Sequence, residues 1–182
     1  MKFWQLNFEV DEYDNLMANK VMSVEELQSF DGRSKKSKWI PINVKRMEPK
    51  KGLKLSNAPG FSIPVFDKKA LDILLPMVEN EIEVLPLLCE EREFFAINVI
   101  KVLDCVDYDK SKYRTFRDGK RIMAFEKYTF KLDDIKGSNI FKIIDEPRRK
   151  PFVSDEFRDK VLETGLTGFK FKLVWDSEDF MS

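Results

Sequence analysis

The segment from Glu93 to Val106 (Glu-Phe-Phe-Ala-Ile-Asn-Val-Ile-Lys-Val-Leu-Asp-Cys-Val) constrains this chain more than any other part of it. It is dense in β-branched and aromatic residues, which fit a pleated, buried surface. It predicts the strongest strand of the chain. Just before it, residues 81–88 alternate acidic and apolar side chains, as in Glu81-Ile82-Glu83-Val84. The polar link Glu90-Glu91-Arg92 joins the two stretches, so together they predict an antiparallel hairpin.

Further strands are expected at 3–10, 39–47, 121–131, 140–144 and 168–175. Pro41 makes 39–47 an edge strand or places a bulge there. The last stretch, Gly168 to Trp175, alternates cleanly. Helices are fewer. Ser23 with Glu26 forms a capping-box pattern and predicts a short helix over 24–30 that stops near Gly32. Asp67 is an N-cap for a helix to about Leu75, closed by Pro76, with Phe66, Ala70, Ile73, Leu74 and Met77 on one face. Ser154 caps a third helix to about Thr164. Phe157, Val161 and Leu162 turn inward there, and Gly165 is the stop. Residues 31–38, 48–64 and 107–120 read as loops, 133–137 as a turn or one helical turn, and the tail Asp176 to Ser182 as frayed.

The fold class that follows is α+β, a mainly antiparallel sheet with a few short helices packed on it. Residues 1–59 form the N-terminal β-rich part of the same domain as residues 60–182. Segments 64–87 and 151–174 align without a gap: Pro64 meets Pro151, Asp72 meets Asp159, and Leu75 meets Leu162. Convergent helix–turn–strand patterning is the preferred account, with a duplicated αβ unit as the alternative.

Composition narrows the function classes. The chain has 182 residues, 43% of them hydrophobic, with 16 Phe, which excludes a disordered chain. It has 32 basic and 32 acidic residues, so no whole-chain attraction draws it to nucleic acid or anionic lipid. No apolar run approaches the ~20 residues of a membrane span. The first ten residues lack a signal-peptide pattern, so a cytoplasmic location is expected. Cys89 and Cys105 sit in strand-like segments and read as buried or half-buried thiols. There is no histidine at all. The commonest general base and metal ligand is therefore missing, and with it the His-dependent triads.

Nothing else supplies chemistry. The seven glycines form no phosphate-binding loop. Asp107/Asp109 and Asp133/Asp134 lack the spacing of a Ca²⁺ loop and read as solvated turns. No base accompanies Tyr13, Tyr108, Tyr113 or Tyr128. The sequence predicts no catalytic residue, no cofactor and no metal site, and hence a binding protein rather than an enzyme.

Charge patches offer two binding readings. Residues 31–51 hold eight cations (Arg33, Lys35, Lys36, Lys38, Lys45, Arg46, Lys50, Lys51) interleaved with Trp39. Basic residues beside an aromatic suit single-stranded nucleic acid, and 110–121 is a second basic stretch. Acidic clusters at 9–14 and 79–93 balance both, so a mixed ionic surface is the simpler account and nucleic acid the alternative partner. The acidic stretch Glu79, Glu81, Glu83, Glu90, Glu91 and Glu93 is either the wet face of a strand or a docking surface for a basic protein partner.

The order of segments also resembles a known family. Gly60-Phe-Ser-Ile-Pro-Val-Phe66 precedes an apolar helix and then Glu83-Val-Leu-Pro-Leu87. There follow Phe94 to Asp107, Ile140-Phe-Lys-Ile143, Pro151-Phe-Val-Ser-Asp-Glu-Phe157 and Gly165-Leu-Thr-Gly-Phe-Lys-Phe171. This is similar to the immunity protein eleven family, found beside polymorphic toxins in bacteria, over about residues 60–175. The resemblance implies a role in neutralising a cognate toxin by stoichiometric binding, without catalysis. Its shared positions are structural: Asn98 and Asp104 punctuate a strand, Ser154 caps a helix, and Gly165 and Gly168 shape a turn. Residues 1–59 match less clearly.

Overall fold

The hairpin expected around Glu90 forms, and much of the chain is arranged about it. The computed structural model describes residues 1–180, without the side chains of Gln28, Asp179 and Phe180. In chain order its strands are β1 (Lys2–Phe8), β2 (Leu16–Ala18), β3 (Ile42–Arg46), β4 (Val65–Asp67), β5 (Ile82–Leu88), β6 (Phe94–Val99), β7 (Val102–Leu103), β8 (Lys112–Thr115), β9 (Ile122–Lys127), β10 (Ile140–Ile143), β11 (Phe152–Ser154) and β12 (Phe169–Asp176). The helices are α1 (Val24–Gln28), α2 (Lys68–Val78), α3 (Leu132–Ile135) and α4 (Asp155–Glu163).

Two five-stranded sheets result. The first has the order β12-β1-β11-β10-β7 and the second β2-β3-β5-β6-β4, while β8 and β9 form a separate two-stranded ribbon. The class is α+β. Most pairs are antiparallel, but both large sheets are mixed, because β10 runs parallel to β7 and β3 parallel to β5. The long strand expected over 93–106 is in fact two. The amides of Ile100 and Lys101 both donate to the Glu81 carbonyl, at 2.9 and 3.2 Å. That contact ends β6 and sends the chain into the other sheet as β7.

Other expectations shift in smaller ways. Ser23 and Glu26 make the reciprocal capping box at the start of α1. Asp67 caps α2 by accepting from the Ala70 amide, and Ser154 caps α4 by accepting from Phe157. Pro76 does not close α2; it lies inside the helix, which runs to Val78. A proline ring removes one backbone donor. Its would-be acceptor belongs to exposed Asp72, where water can replace the bond. Phe66 lies on β4 rather than on the helix. Four residues of 107–120, expected as loop, form β8. Asp176 is not frayed: it ends β12, is 7% exposed and pairs with Lys2 at 2.8 Å. Met181 and Ser182, the end of that expected tail, lie outside the described residues.

The two segments that align in sequence adopt the same strand–helix–strand form, β4-α2-β5 and β11-α4-β12. A further strand fills the middle of each: β6 lies between β4 and β5, and β1 between β11 and β12. The registers correspond. Asp67 faces Phe94 and Ile82 faces Val99; Ser154 faces Phe3 and Phe169 faces Phe8. Each cap residue also has an asparagine partner. Asn57 Nδ2 donates to Asp67 at 2.9 Å, and Ser154 Oγ donates to Asn139 at 2.8 Å. The asparagines then reach across. Asn57 Oδ1 accepts from Thr167 after α4, at 3.0 Å, and Asn139 Nδ2 donates to Met77 near the end of α2, at 2.8 Å. Each unit is thus tied to the other at its helix ends.

Burial follows the two-residue period of the strands. Trp4, Leu6 and Phe8 of β1 face a central core shared by both sheets, with Leu71, Leu74 and Val78 of α2 and Phe157 and Val161 of α4. Trp4 and Phe8 are partly buried; a fully buried side chain such as Leu6, Leu74 or Phe157 contributes ~1.5–3 kcal/mol. Phe3 points the other way, into an aromatic core with Phe130, Phe141, Phe152 and Trp175. Its ring meets that of Phe141 edge to face at 5.4 Å. A third core covers the far face of the β5–β6 hairpin, where Leu85, Leu87 and Phe94 meet Leu16, Phe30 and Val44.

Candidate functional site

The hairpin that carries the acidic stretch separates its six glutamates into three groups. Glu81 and Glu83 are buried, at 6% and 9% exposure, and neither presents a wet face. Both faces of the hairpin are covered, so strand alternation here sorts one interior from another. Glu81 accepts from the amides of Asn139 (3.1 Å) and Ile140 (2.8 Å) and from Lys101 Nζ (2.7 Å). It therefore ties the hairpin to β10 in the other sheet. Glu83 accepts from Ser34 Oγ, from the Lys35 amide at 2.7 Å and from Asn98 Nδ2 at 3.0 Å. Burial alone would raise its pKa. The bonds from Ser34, Lys35 and Asn98 outweigh that effect and hold the carboxyl below its ordinary value.

Glu90, Glu91 and Glu93 are the second group, exposed together at the β5–β6 turn. They border a groove of about 580 Å³ whose apolar surface comes from Leu87, Leu88 and Cys89, with Asn43 and Lys45 of β3 on its wall. Leu88 is 51% exposed. Glu79 is the third group. It is exposed after α2, at the other end of β5, beside a separate hollow with Asn80 and Lys101.

Internal contacts hold the acidic turn in place. Arg92 turns inward between Glu91 and Glu93. Its guanidinium donates to Asp67 at 3.0 Å and to the Leu55 and Ser56 carbonyls at 2.6 and 2.9 Å, and it lies over the Phe94 ring. Arg46 sits 3.8 Å from Glu91 and donates to Asp14 at 2.8 Å. Asp14 is itself 2% exposed. Burial pushes its pKa up, but the Glu48 amide and Arg46 prevail and keep it low. The turn thus carries three outward carboxylates on a fixed frame, an arrangement suited to meeting a cationic surface. Sequence reading placed Arg46 among the cations of 31–51 and Arg92 in the polar link of the hairpin, and neither as a support of the acidic turn, because a cation in a charged stretch gives no sign of which way it points.

Half of the eight cations in the basic stretch 31–51 have internal partners, Arg46 among them. Arg33 pairs with Asp31 at 2.7 Å, Lys51 with Glu48 at 2.7 Å, and Lys35 donates to Ser29 at 2.6 Å. Trp39, the aromatic that would stack on a base, donates its indole N–H to the Pro86 carbonyl and meets Phe30 edge to face. Lys36 and Lys38 remain exposed on a single 3₁₀ turn.

Residues 89–176 match the model of the Immunity protein family (Imm11). That stretch, just under half of the chain, is similar to this immunity protein family. It opens in the acidic turn at Cys89, closes with β12, and contains Glu90, Glu91 and Glu93 but not Glu79, Glu81 or Glu83. The segments at 60–88 lie before the match. No curated protein matches the chain. The immunity-family stretch is not self-sufficient in the fold, since β1, from outside it, separates β11 from β12.

Two further features escaped sequence reading. Lys142 of β10 is buried and donates to the Phe30 carbonyl, and burial lowers its pKa to about 8 against a smaller opposing pull from Asp31. A more apolar groove of about 530 Å³, lined by Met17, Met22, Met47 and Phe61, lies on the N-terminal part. Among the described residues no three His, Cys, Asp or Glu side chains are grouped to hold a metal ion, and no helix is long and apolar enough to cross a membrane.

Proposed function

We propose that this chain neutralises a cognate bacterial toxin in the cytoplasm by binding it one to one, with no chemical step. The acidic turn is its docking surface, and a basic face of the toxin is its counterpart. The observation that carries this reading is the fixed trio Glu90, Glu91 and Glu93 above an apolar groove, within the stretch that matches the immunity family. Exposed carboxylates steer a cationic partner, and the apolar floor with Leu88 supplies area to hold it. Glu79 lies apart and contributes to steering only. Glu81 and Glu83 serve the frame. Nucleic acid at 31–51 is the weaker alternative, because Trp39 and several of the cations there are engaged internally.

The test is co-expression with the product of the neighbouring toxin gene. The expected result is a stable one-to-one complex and rescue of growth. A well-folded toxin that neither binds the chain nor loses toxicity in its presence would contradict the reading.

A further inference from the structure

The β8–β9 ribbon is built unlike the rest of the molecule. Among the described residues β8 and β9 pair with each other and with no third strand, which leaves the outer edge of β8 open to one. Two strands alone are marginal in water, and an open edge is a template for a third. The ribbon is anchored on the core side by an aromatic series. Tyr113 meets Phe125 at 5.7 Å, Phe125 stacks on Tyr128 at 4.9 Å, and Tyr128 leads to Phe130. Its outer part carries a cup of about 550 Å³ lined by Tyr108, Tyr113, Phe116, Lys120, Arg121 and Asp145. Tyr113 is 38% and Phe116 43% exposed.

Charge selects the occupant. Between residues 110 and 121 the cations are Lys110, Lys112, Arg114, Arg117, Lys120 and Arg121, and the one acid is Asp118. Arg114 has a cross-strand partner in Glu126 at 3.2 Å; Arg121 pairs with Asp118 within the turn at 2.7 Å, and Lys110 with Asp107 at 3.3 Å. Asp145 in the cup already accepts from Tyr108 at 2.9 Å. The balance stays positive. A second copy of this chain would bring the same cations to the same edge and be repelled, since like charges opposite one another destabilise a strand pair. An acidic strand would gain a cross-strand pair with Lys112, meet the exposed Arg117 and Lys120 at the turn, and present apolar side chains to Tyr113 and Phe116.

We infer that the β8–β9 ribbon is a second docking surface, which takes up an acidic, extended protein segment as a third strand. The identification of that segment as part of the toxin rests on the function proposed above; the chemistry of the surface does not.

The test uses the full ¹⁵N-labelled chain and three probes: a short peptide alternating Glu and Val, its Lys-Val counterpart, and short oligothymidylate. The Glu-Val peptide is expected to shift amides within 112–127 and to slow hydrogen exchange along one ribbon edge. Arg117→Glu with Lys120→Glu, two exposed changes, should weaken it about tenfold and leave other resonances in place. Phe116→Ala should weaken it with the charges intact. The inference is overturned if the shifts fall outside the ribbon, if the Lys-Val peptide binds equally, or if oligothymidylate binds more tightly, which would make the ribbon a nucleic-acid platform. A toxin complex unaffected by the double reversal would remove the ribbon from the interface and leave the immunity reading standing. Peptide binding at the ribbon without any toxin complex would do the reverse.

Discussion

Glu81 lies just before β5, Glu83 lies on it, and Glu90, Glu91 and Glu93 lie on the turn that follows, in a single acidic run of sequence. The first two are buried and surrounded by donors from four segments. The other three stand in water over an apolar groove. The difference shows that a carboxylate's role here is set by what covers the strand. Glu81 is closed over by β10 and Glu83 by the 34–35 segment, whereas nothing described covers the turn. One group should therefore control stability and the other recognition, and each prediction below tests that division.

The largest effect is expected at Glu81. Its replacement by Ala leaves the Asn139 and Ile140 amides and Lys101 without their acceptor, at a cost of about 3–5 kcal/mol, measured by urea unfolding. Glu83→Ala should cost about 2–4 kcal/mol, because it orphans the Lys35 amide and Asn98 together. An unchanged unfolding midpoint in either variant would break the comparison at once.

Acidity sharpens it. Because Glu83 has a folded pKa below its ordinary 4.5, its contribution is complete above that value and is lost as pH falls through the folded pKa. The stability gap between wild type and Glu83→Gln should narrow below pH 4.5. Lys142 has the opposite sense. Its folded pKa of about 8 lies below the ordinary 10.5, so the unfolded chain binds the extra proton between those values and stability rises with pH there. Relative to Lys142→Met, the wild type should gain about 1–3 kcal/mol across that window. Taking the difference between the two removes the alkaline losses that both share, such as that from Cys105, whose burial pushes its thiol up to about 12. Ser154→Ala, which removes one helix cap, should cost about 1 kcal/mol by the same unfolding measurement. Reversing Glu90, Glu91 and Glu93 to Lys should cost least, within about 1 kcal/mol, because exposed pairs are weak.

Much of the fold was legible because its signals are local. The capping residues Ser23, Asp67 and Ser154, the hairpin about Glu90 and the alternation of 169–175 each need only a few neighbouring residues. What was not legible depends on distant partners. β7 and β11 are two or three residues long and are held by distant strands, β7 by β10 and β11 by β1 and β10. β1 reads as a strand, but nothing in it shows that it enters between β11 and β12, some 150 residues away. The correspondence of the two strand–helix–strand units left few identities in sequence. It is carried by register and by the crossed contacts of Asn57 and Asn139. For the candidate site, the exposed trio could be read from polarity and position on a turn. The burial of Glu81 and Glu83 could not, because the segments that cover them lie some 50 residues before and after the strand.

The most direct test of this division is calorimetric titration of the neighbouring toxin into three proteins: wild type, Glu90→Lys/Glu91→Lys/Glu93→Lys, and Glu83→Ala at a temperature where it remains folded. The account predicts that the triple variant keeps its stability and binds on the order of 100-fold more weakly, while Glu83→Ala loses stability and binds as wild type does. A triple variant with undiminished affinity, or a Glu83→Ala protein that is stable yet fails to bind, would contradict it.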